Sequence, residues 1–227
     1  MEKGVFITPI AYIQTDFEEK FGVPRQSGRV PSLTARLVFT PAFQNDDFFR
    51  GIEEFSHLWL LFDFSLTRQA GYSPTVRPPR LGGNKRVGVF ASRSPFRPNH
   101  IGLSCVKLVG VERTQSQGLC LIVSGADLVN GTPVFDVKPY LPTADRIENA
   151  VGGYADTHAA YKLKVEFPQE LLEKIPQEKR DGLMECLADD PRPSYQDDPK
   201  REYGMRFSQW NVKFTVFGDV LSVTEVL

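Results

Sequence analysis

A chain of 227 residues with 27 basic and 28 acidic side chains, for a net charge of −1, has room for one large β domain or a main domain with a small appendage. No apolar run approaches the roughly 20 residues of a membrane span, and Met1-Glu2-Lys3 lacks the apolar block of a secretion signal. Cys105, Cys120 and Cys186 are widely spaced without a CxxC pair and read as reduced core thiols of a cytoplasmic protein; with His57, His100 and His158 they lack the spacing of a metal site.

In chain order, most periodic segments are strand-like. Gly4 to Ile13 is rich in β formers, Leu33 to Phe39 alternates apolar and polar positions, and His57 to Phe64 is almost continuously apolar. A short helical turn is expected at Asp47 to Ile52, capped by Asn45 or Asp46. Thr67 to Asn84, with prolines at 74, 78 and 79 and glycines at 71, 82 and 83, reads as a long basic loop without regular structure. Strands follow at Arg86 to Ala91, Leu103 to Arg113, Leu119 to Gly125, Val134 to Tyr140 and Tyr161 to Phe167. So many short strands point to a barrel or sandwich. From Gln169 to Leu187 the apolar spacing turns helical and is broken at Pro176, which predicts two short helices. Met205 to Val216 then returns as a strand. The expected architecture is mainly β: a small single-sheet β-barrel at 1–150 and a small α+β unit at 151–227.

The run Gly88-Val-Phe-Ala-Ser-Arg-Ser-Pro-Phe-Arg-Pro-Asn-His-Ile-Gly102 is chemically the most specific. Pro95 and Pro98 fix φ, Gly102 allows unusual backbone angles, and Arg93 and Arg97 are left as preorganised cations suited to an anionic or carboxylate-bearing ligand. Arg97 has three possible employments: the same pocket, a nucleic acid, or the loop's own carbonyls. An ordinary surface turn is the plainer alternative. Around this run the charge is strongly biased. Between Phe64 and Val111 there is no Asp or Glu, yet there are eight cations, Arg68, Arg77, Arg80, Lys85, Arg86, Arg93, Arg97 and Lys107. Clustered cations of this kind attract phosphates even when total charge is near zero. The usual nucleotide and hydrolase signatures, GxGxxG after a strand, Walker A, HExxH and GxSxG, are missing, which disfavours a doubly wound sheet.

Taken with Asn130-Gly-Thr-Pro-Val-Phe-Asp-Val-Lys-Pro-Tyr140, the Gly88 to Gly102 run resembles the paired signature of the TrmO family, also called TsaA-like or YaeB-like. Phe21-Gly-Val-Pro-Arg-Gln26 and Phe55-Ser-His-Leu-Trp59 resemble its N-terminal motifs, and Asp190-Pro-Arg-Pro-Ser-Tyr195 with Phe207 to Phe214 resembles its C-terminal extension. The resemblance implies a homodimeric S-adenosylmethionine-dependent methyltransferase on a β-barrel, acting at N6 of threonylcarbamoyl-adenosine beside the anticodon of threonine tRNA. It places cofactor contacts at Pro24, Arg25, Gln26, His57, Leu58, Arg93, Leu103 and the segment Thr132, Pro133, Val134 and Phe135. His100 stands where the family often has proline, and Asn130 where it often has aspartate.

The chemistry of the cofactor agrees, since a carboxylate, an amine, a sulfonium, a ribose and an adenine ask for a cation, acceptors and an apolar slot. Core packing is the competing role for Leu58 and Leu103, and a satisfied histidine beside Trp59 that for His57. A proton acceptor for N6 is sought in Asp136 or Tyr195, with Lys138 as electrostatic partner. Arg77, Arg80, Lys85, Arg86 and Arg192 are the expected RNA contacts. The alternatives are a non-catalytic sensor or scaffold that binds S-adenosylmethionine or RNA, and a methyltransferase for another substrate.

Overall fold

The computed structural model describes residues 4–78, 85–158, 161–192 and 198–227. Six antiparallel strands build the larger unit: β1 (Ala11–Gln14), β2 (Thr34–Phe39), β3 (His57–Asp63), β6 (Ile101–Thr114), β7 (Gly118–Ser124) and β8 (Pro133–Pro139). Each pairs with two others, and the sheet closes into a barrel in the order β1-β2-β7-β6-β3-β8. In β2 the alternation read from the sequence sets which side chains point inward, with Ala35, Leu37 and Phe39 buried. In β3, read as almost continuously apolar, Leu58 and Leu60 are fully buried and Phe62 nearly so; they meet Leu37, Val106, Leu121 and Val134 from the other strands. No helix among the described residues is long and apolar enough to cross a membrane.

Between β3 and β6 the chain forms a two-stranded hairpin, β4 (Thr75–Val76) against β5 (Val87–Gly88). The loop expected to be irregular thus contains a short ladder, and the strand expected at Arg86 to Ala91 shortens to two residues before a tight turn at Val89–Ala91. Asn45 caps its turn as expected, its side chain accepting from the Asp47 amide at 3.0 Å.

A short helix α1 (Pro142–Asp145) follows the barrel. The second unit packs α2 (Gln169–Leu172) and α3 (Gln177–Ala188) on a sheet ordered β10-β11-β12-β9, made of Tyr203–Phe207, Trp210–Phe217, Val220–Val226 and Lys164–Glu166. The single strand expected over Met205 to Val216 is two: Ser208 adopts φ 53°, a left-handed turn residue that folds β10 back on β11. The core of this unit holds Ile175, Leu183, Leu187, Met205, Phe207, Phe214 and Leu221, and it recruits Phe17 and Val30 from the connection between β1 and β2. Within that connection Gly22 sits at φ +95°, and a Cβ there would lie 2.5 Å from Met205 Sδ. Phe21 and Val23 pack on this same core, so the motif Phe21 to Gln26 is clamped onto the second unit, and this fixes where Pro24, Arg25 and Gln26 emerge.

Candidate functional site

At the end of the barrel where β3 finishes and β6 begins lies a cavity of about 430 Å³. Three chain segments meet there. Pro24, Arg25 and Gln26 come from the clamped connection; Arg93 and Leu103 come from the proline-rich loop and β6; Asp127 and Thr132 come from the loop between β7 and β8. Gly28 donates its amide to the carbonyl of Gly125 at 2.8 Å, and this backbone bond holds the first segment against the third. Arg93 Nη1 donates to Gln26 Oε1 at 2.7 Å, and Gln26 Nε2 donates to the Arg25 carbonyl at 2.6 Å, so the predicted contacts are linked to one another.

Gly102 makes the wall possible by lacking a side chain. It pairs with Phe62 across the β3–β6 ladder, and a Cβ would fall 2.2 Å from the Phe62 ring. The unusual backbone angle expected of it is not what it provides, since it is not among the residues at positive φ. His100 is: its φ of 51° is closed to proline, which explains how this loop carries histidine, and its Nδ1 lies 3.2 Å from the Pro95 carbonyl. Arg97 serves the loop itself, donating from Nη1 to the carbonyls of Ser92 at 2.6 Å and Val89 at 3.1 Å. Asn130 accepts from the Thr15 amide at 3.3 Å and donates to Glu18 at 2.9 Å, a pairing an aspartate could not make.

Two carboxylates in the cavity carry no obvious sequence signal. Asp127 accepts from Ser104 Oγ at 2.5 Å, and burial raises its carboxyl to about 6 despite that bond and the nearby Arg93 charge. Asp63, nearly buried at the end of β3, receives Arg68 Nη2 on Oδ2 at 2.6 Å, while its Oδ1 is buried with no partner. An Asp closing an apolar run and another after a buried strand are the only hints the sequence holds. Cations and acceptors thus face one apolar wall formed by Phe62, Ile101, Leu103 and Leu128.

Other expected contacts lie elsewhere. Leu58 and Val134 are fully buried and point into the barrel core, so packing wins over an adenine slot. His57 begins β3, about 17 Å along the strand from Phe62 at roughly 3.3 Å per residue, and its Nδ1 pairs with Ser56 Oγ at 2.9 Å. Pro133 and Phe135 do not line the cavity. Asp136 and Lys138 form a half-exposed ion pair of 2.8 Å on β8, also away from it.

Arg192, expected on an RNA surface, is buried, because Asp190 grips it from both oxygens at 2.9 and 3.0 Å. Arg25 in turn caps that turn, donating to the carbonyls of Asp190 at 3.0 Å and Arg192 at 2.6 Å. Arg77, Lys85 and Arg86 are exposed, as a phosphate-binding role requires; Arg80 and Tyr195 lie outside the described residues. Among the described residues no cluster of His, Cys, Asp and Glu is arranged to hold a metal ion.

Comparison with known proteins adds a lineage to this geometry. The tRNA-methyltransferase O N-terminal domain family matches residues 12–146, and the TrmO C-terminal domain family matches residues 160–227. The chain is 43% identical over 215 residues to the tRNA (adenine(37)-N6)-methyltransferase of Escherichia coli (strain K12), covering 91% of each protein. It is 34% identical over 148 residues to the "Probable S-adenosyl-L-methionine-binding protein" of Pyrococcus abyssi, covering 65% of this chain and 74% of that one. The crystal structure of TrmO from Pseudomonas aeruginosa matches with a TM-score of 0.80 at 34% identity, over 99% of this chain and 100% of that one.

Proposed function

Because the chain belongs to the tRNA-methyltransferase O family, we propose that its barrel cavity binds S-adenosylmethionine and that it transfers the methyl group to N6 of the adenine beside a tRNA anticodon. The observation that carries this reading is the convergence of Arg93, Gln26, Leu103 and two carboxylates on one cavity of about 430 Å³, within the few hundred Å³ of an ordinary small-molecule site. Arg93 would pair with the methionyl carboxylate, Asp127 and Asp63 would accept from amine or hydroxyl donors, and the Phe62–Leu103 wall would cover the adenine. The sulfonium is already a strong electrophile, so the protein's task is to align donor and acceptor in line.

The substrate we assign is threonylcarbamoyl-adenosine in threonine tRNA, met by a basic surface at Arg77, Lys85 and Arg86. Residues 1–150 would hold the cofactor, and 151–227 would support tRNA binding and a homodimer. Asp136 with Lys138, and Tyr195, are proposed to take the N6 proton across that dimer, since the first two stand outside their own chain's cavity. Mixing Arg93→Ala subunits with Asp136→Asn subunits should then restore activity that each lacks alone. If mixing restores nothing, the assignment of Asp136 across the dimer fails.

The deciding experiment for the function incubates the protein with methyl-labelled cofactor and total tRNA, with and without threonylcarbamoylation. Label confined to modified threonine tRNA supports the proposal. Cofactor binding without transfer would make the protein a sensor, and label in unmodified RNA would make it a methyltransferase for another substrate.

A further inference from the structure

Phe90 is 80% exposed and does not itself line the cavity. An aromatic ring left in water costs apolar hydration without return in the isolated chain, so its surroundings indicate what covers it. Three features of those surroundings agree.

The turn that presents Phe90 is rigid. Its neighbour Val89 is buried, donates its amide to the Pro74 carbonyl at 3.0 Å, and receives the Ser92 amide and hydroxyl at 3.2 and 2.9 Å on its own carbonyl, which Arg97 also reaches. A side chain on such a turn loses little further freedom when a partner arrives. The same framework holds other exposed rings. The Ser73 amide donates to the Phe96 carbonyl at 3.3 Å, which places Tyr72, 66% exposed, and Phe96, 37% exposed, on the loops knitted to the Phe90 turn.

The stretch of chain that carries these rings has charge of one sign. The stretch from 64 to 111 holds no carboxylate, and Arg77, Lys85 and Arg86 are exposed on the hairpin that leads into Phe90. Finally, Ser92 and Arg93, two and three residues past Phe90, line the cavity. The exposed ring is thus carried on the same short turn that leads directly into the cavity wall.

Flat π faces joined by phosphates meet all three conditions. We infer that Phe90, flanked by the Arg77, Lys85 and Arg86 cations, is a stacking platform for an unpaired RNA base next to the one that enters the cavity. This rests on the methyl-transfer reading above and adds a residue to it. Removing a base from its stack leaves its neighbour with an uncovered face, and an aromatic side chain replaces that contact whatever the base.

The test uses the full chain with Phe90 changed to Ala, Leu or Trp. Three quantities are measured: affinity for threonylcarbamoylated threonine tRNA, affinity for S-adenosylhomocysteine, and molecular mass in solution. Stacking predicts that Phe90→Ala weakens tRNA binding by about tenfold, that Phe90→Leu weakens it nearly as much, and that Phe90→Trp retains it. Cofactor affinity and mass should not change. In the Trp variant the added indole should be quenched by the tRNA.

Unchanged tRNA affinity in Phe90→Ala overturns the inference. So does full affinity in Phe90→Leu, which would mark a plain apolar contact, and so does a fall in mass, which would assign the ring to a second copy of the chain. A wild-type protein that binds neither cofactor nor tRNA fails the methyl-transfer reading itself, a result that none of the variants can imitate.

Discussion

Asp127 offers a direct test of whether the cavity is built for a ligand at the expense of stability. Its carboxyl is raised from 3.8 to about 6 by burial, roughly two units, which corresponds to about 3 kcal/mol of penalty on the ionised folded form at about 1.4 kcal/mol per unit. The sign follows from the direction of the shift. A carboxyl that binds its proton more tightly in the folded state destabilises the fold fully above about 6 and not at all below its ordinary value of 3.8. Asp127→Asn removes the charge and keeps an oxygen for Ser104 Oγ. The amide NH2, however, cannot accept from the backbone groups that help the carboxylate, so the net gain should be about 1–2 kcal/mol at pH 7.5. For a chain of this size each kcal/mol moves Tm by about 2–4 °C.

Thermal melts of both proteins from pH 4 to pH 8 would measure this gain. The variant should melt higher at pH 7.5, the gap should close as the pH falls through 6 toward 4, and S-adenosylmethionine affinity should drop in the same variant. A variant that melts lower at pH 7.5, or a gap independent of pH, would refute the reasoning that burial sets the state of Asp127.

Arg93→Ala should weaken S-adenosylmethionine binding at least about tenfold, the effect of losing roughly 1.4 kcal/mol of a charged hydrogen bond; calorimetry showing unchanged affinity would remove Arg93 from the site. Gly102→Ala should cost about 1–3 kcal/mol by forcing the buried Phe62 ring aside, with a lower Tm and weaker cofactor binding, because both residues wall the cavity. Arg192→Ala should destabilise by about 3–5 kcal/mol, as expected when a buried pair loses one partner, here leaving the Asp190 carboxylate without its guanidinium and with the Tyr161 hydroxyl as its remaining side-chain donor. A variant with wild-type Tm and impaired tRNA binding would return Arg192 to the RNA surface.

Much of this protein was legible as pattern. Alternation over Leu33 to Phe39 placed Leu37 in a core, Pro176 separated two helices, and the acid-free stretch marked one cationic region, because burial periodicity, backbone restriction and charge are local properties of a chain; that Leu58 and Val134 belong to the core and not to the cofactor site was not legible there. The resemblance named the motifs, but it could not say which residues of each motif face the cavity. His57 and Leu58 sit in the same strand as Phe62 and Asp63, yet only the far end of that strand reaches the site. Facing is a matter of register and strand end, and both are set by the partners across the sheet. Arg192 shows the same limit, since an arginine in a proline-rich turn looks available until Asp190, two residues away, folds back to hold it.

The sequence by itself determined the apolar periodicity, the excess of cations between 64 and 111, and the pairing of the Arg93 loop with the Gly131-Thr132-Pro133 turn as one family signature. Only the tertiary structure decided that Asp63 and Asp127 share a cavity with Arg93, that Gly102 is required by the Phe62 ring instead of by its own φ, and that Phe90 is left uncovered beside the site. The physical reason is that burial of a charge, contact with a ring and exposure of a phenylalanine depend on groups distant in sequence, brought together only when the barrel closes and the Phe21 to Gln26 segment is clamped onto the core of the second unit.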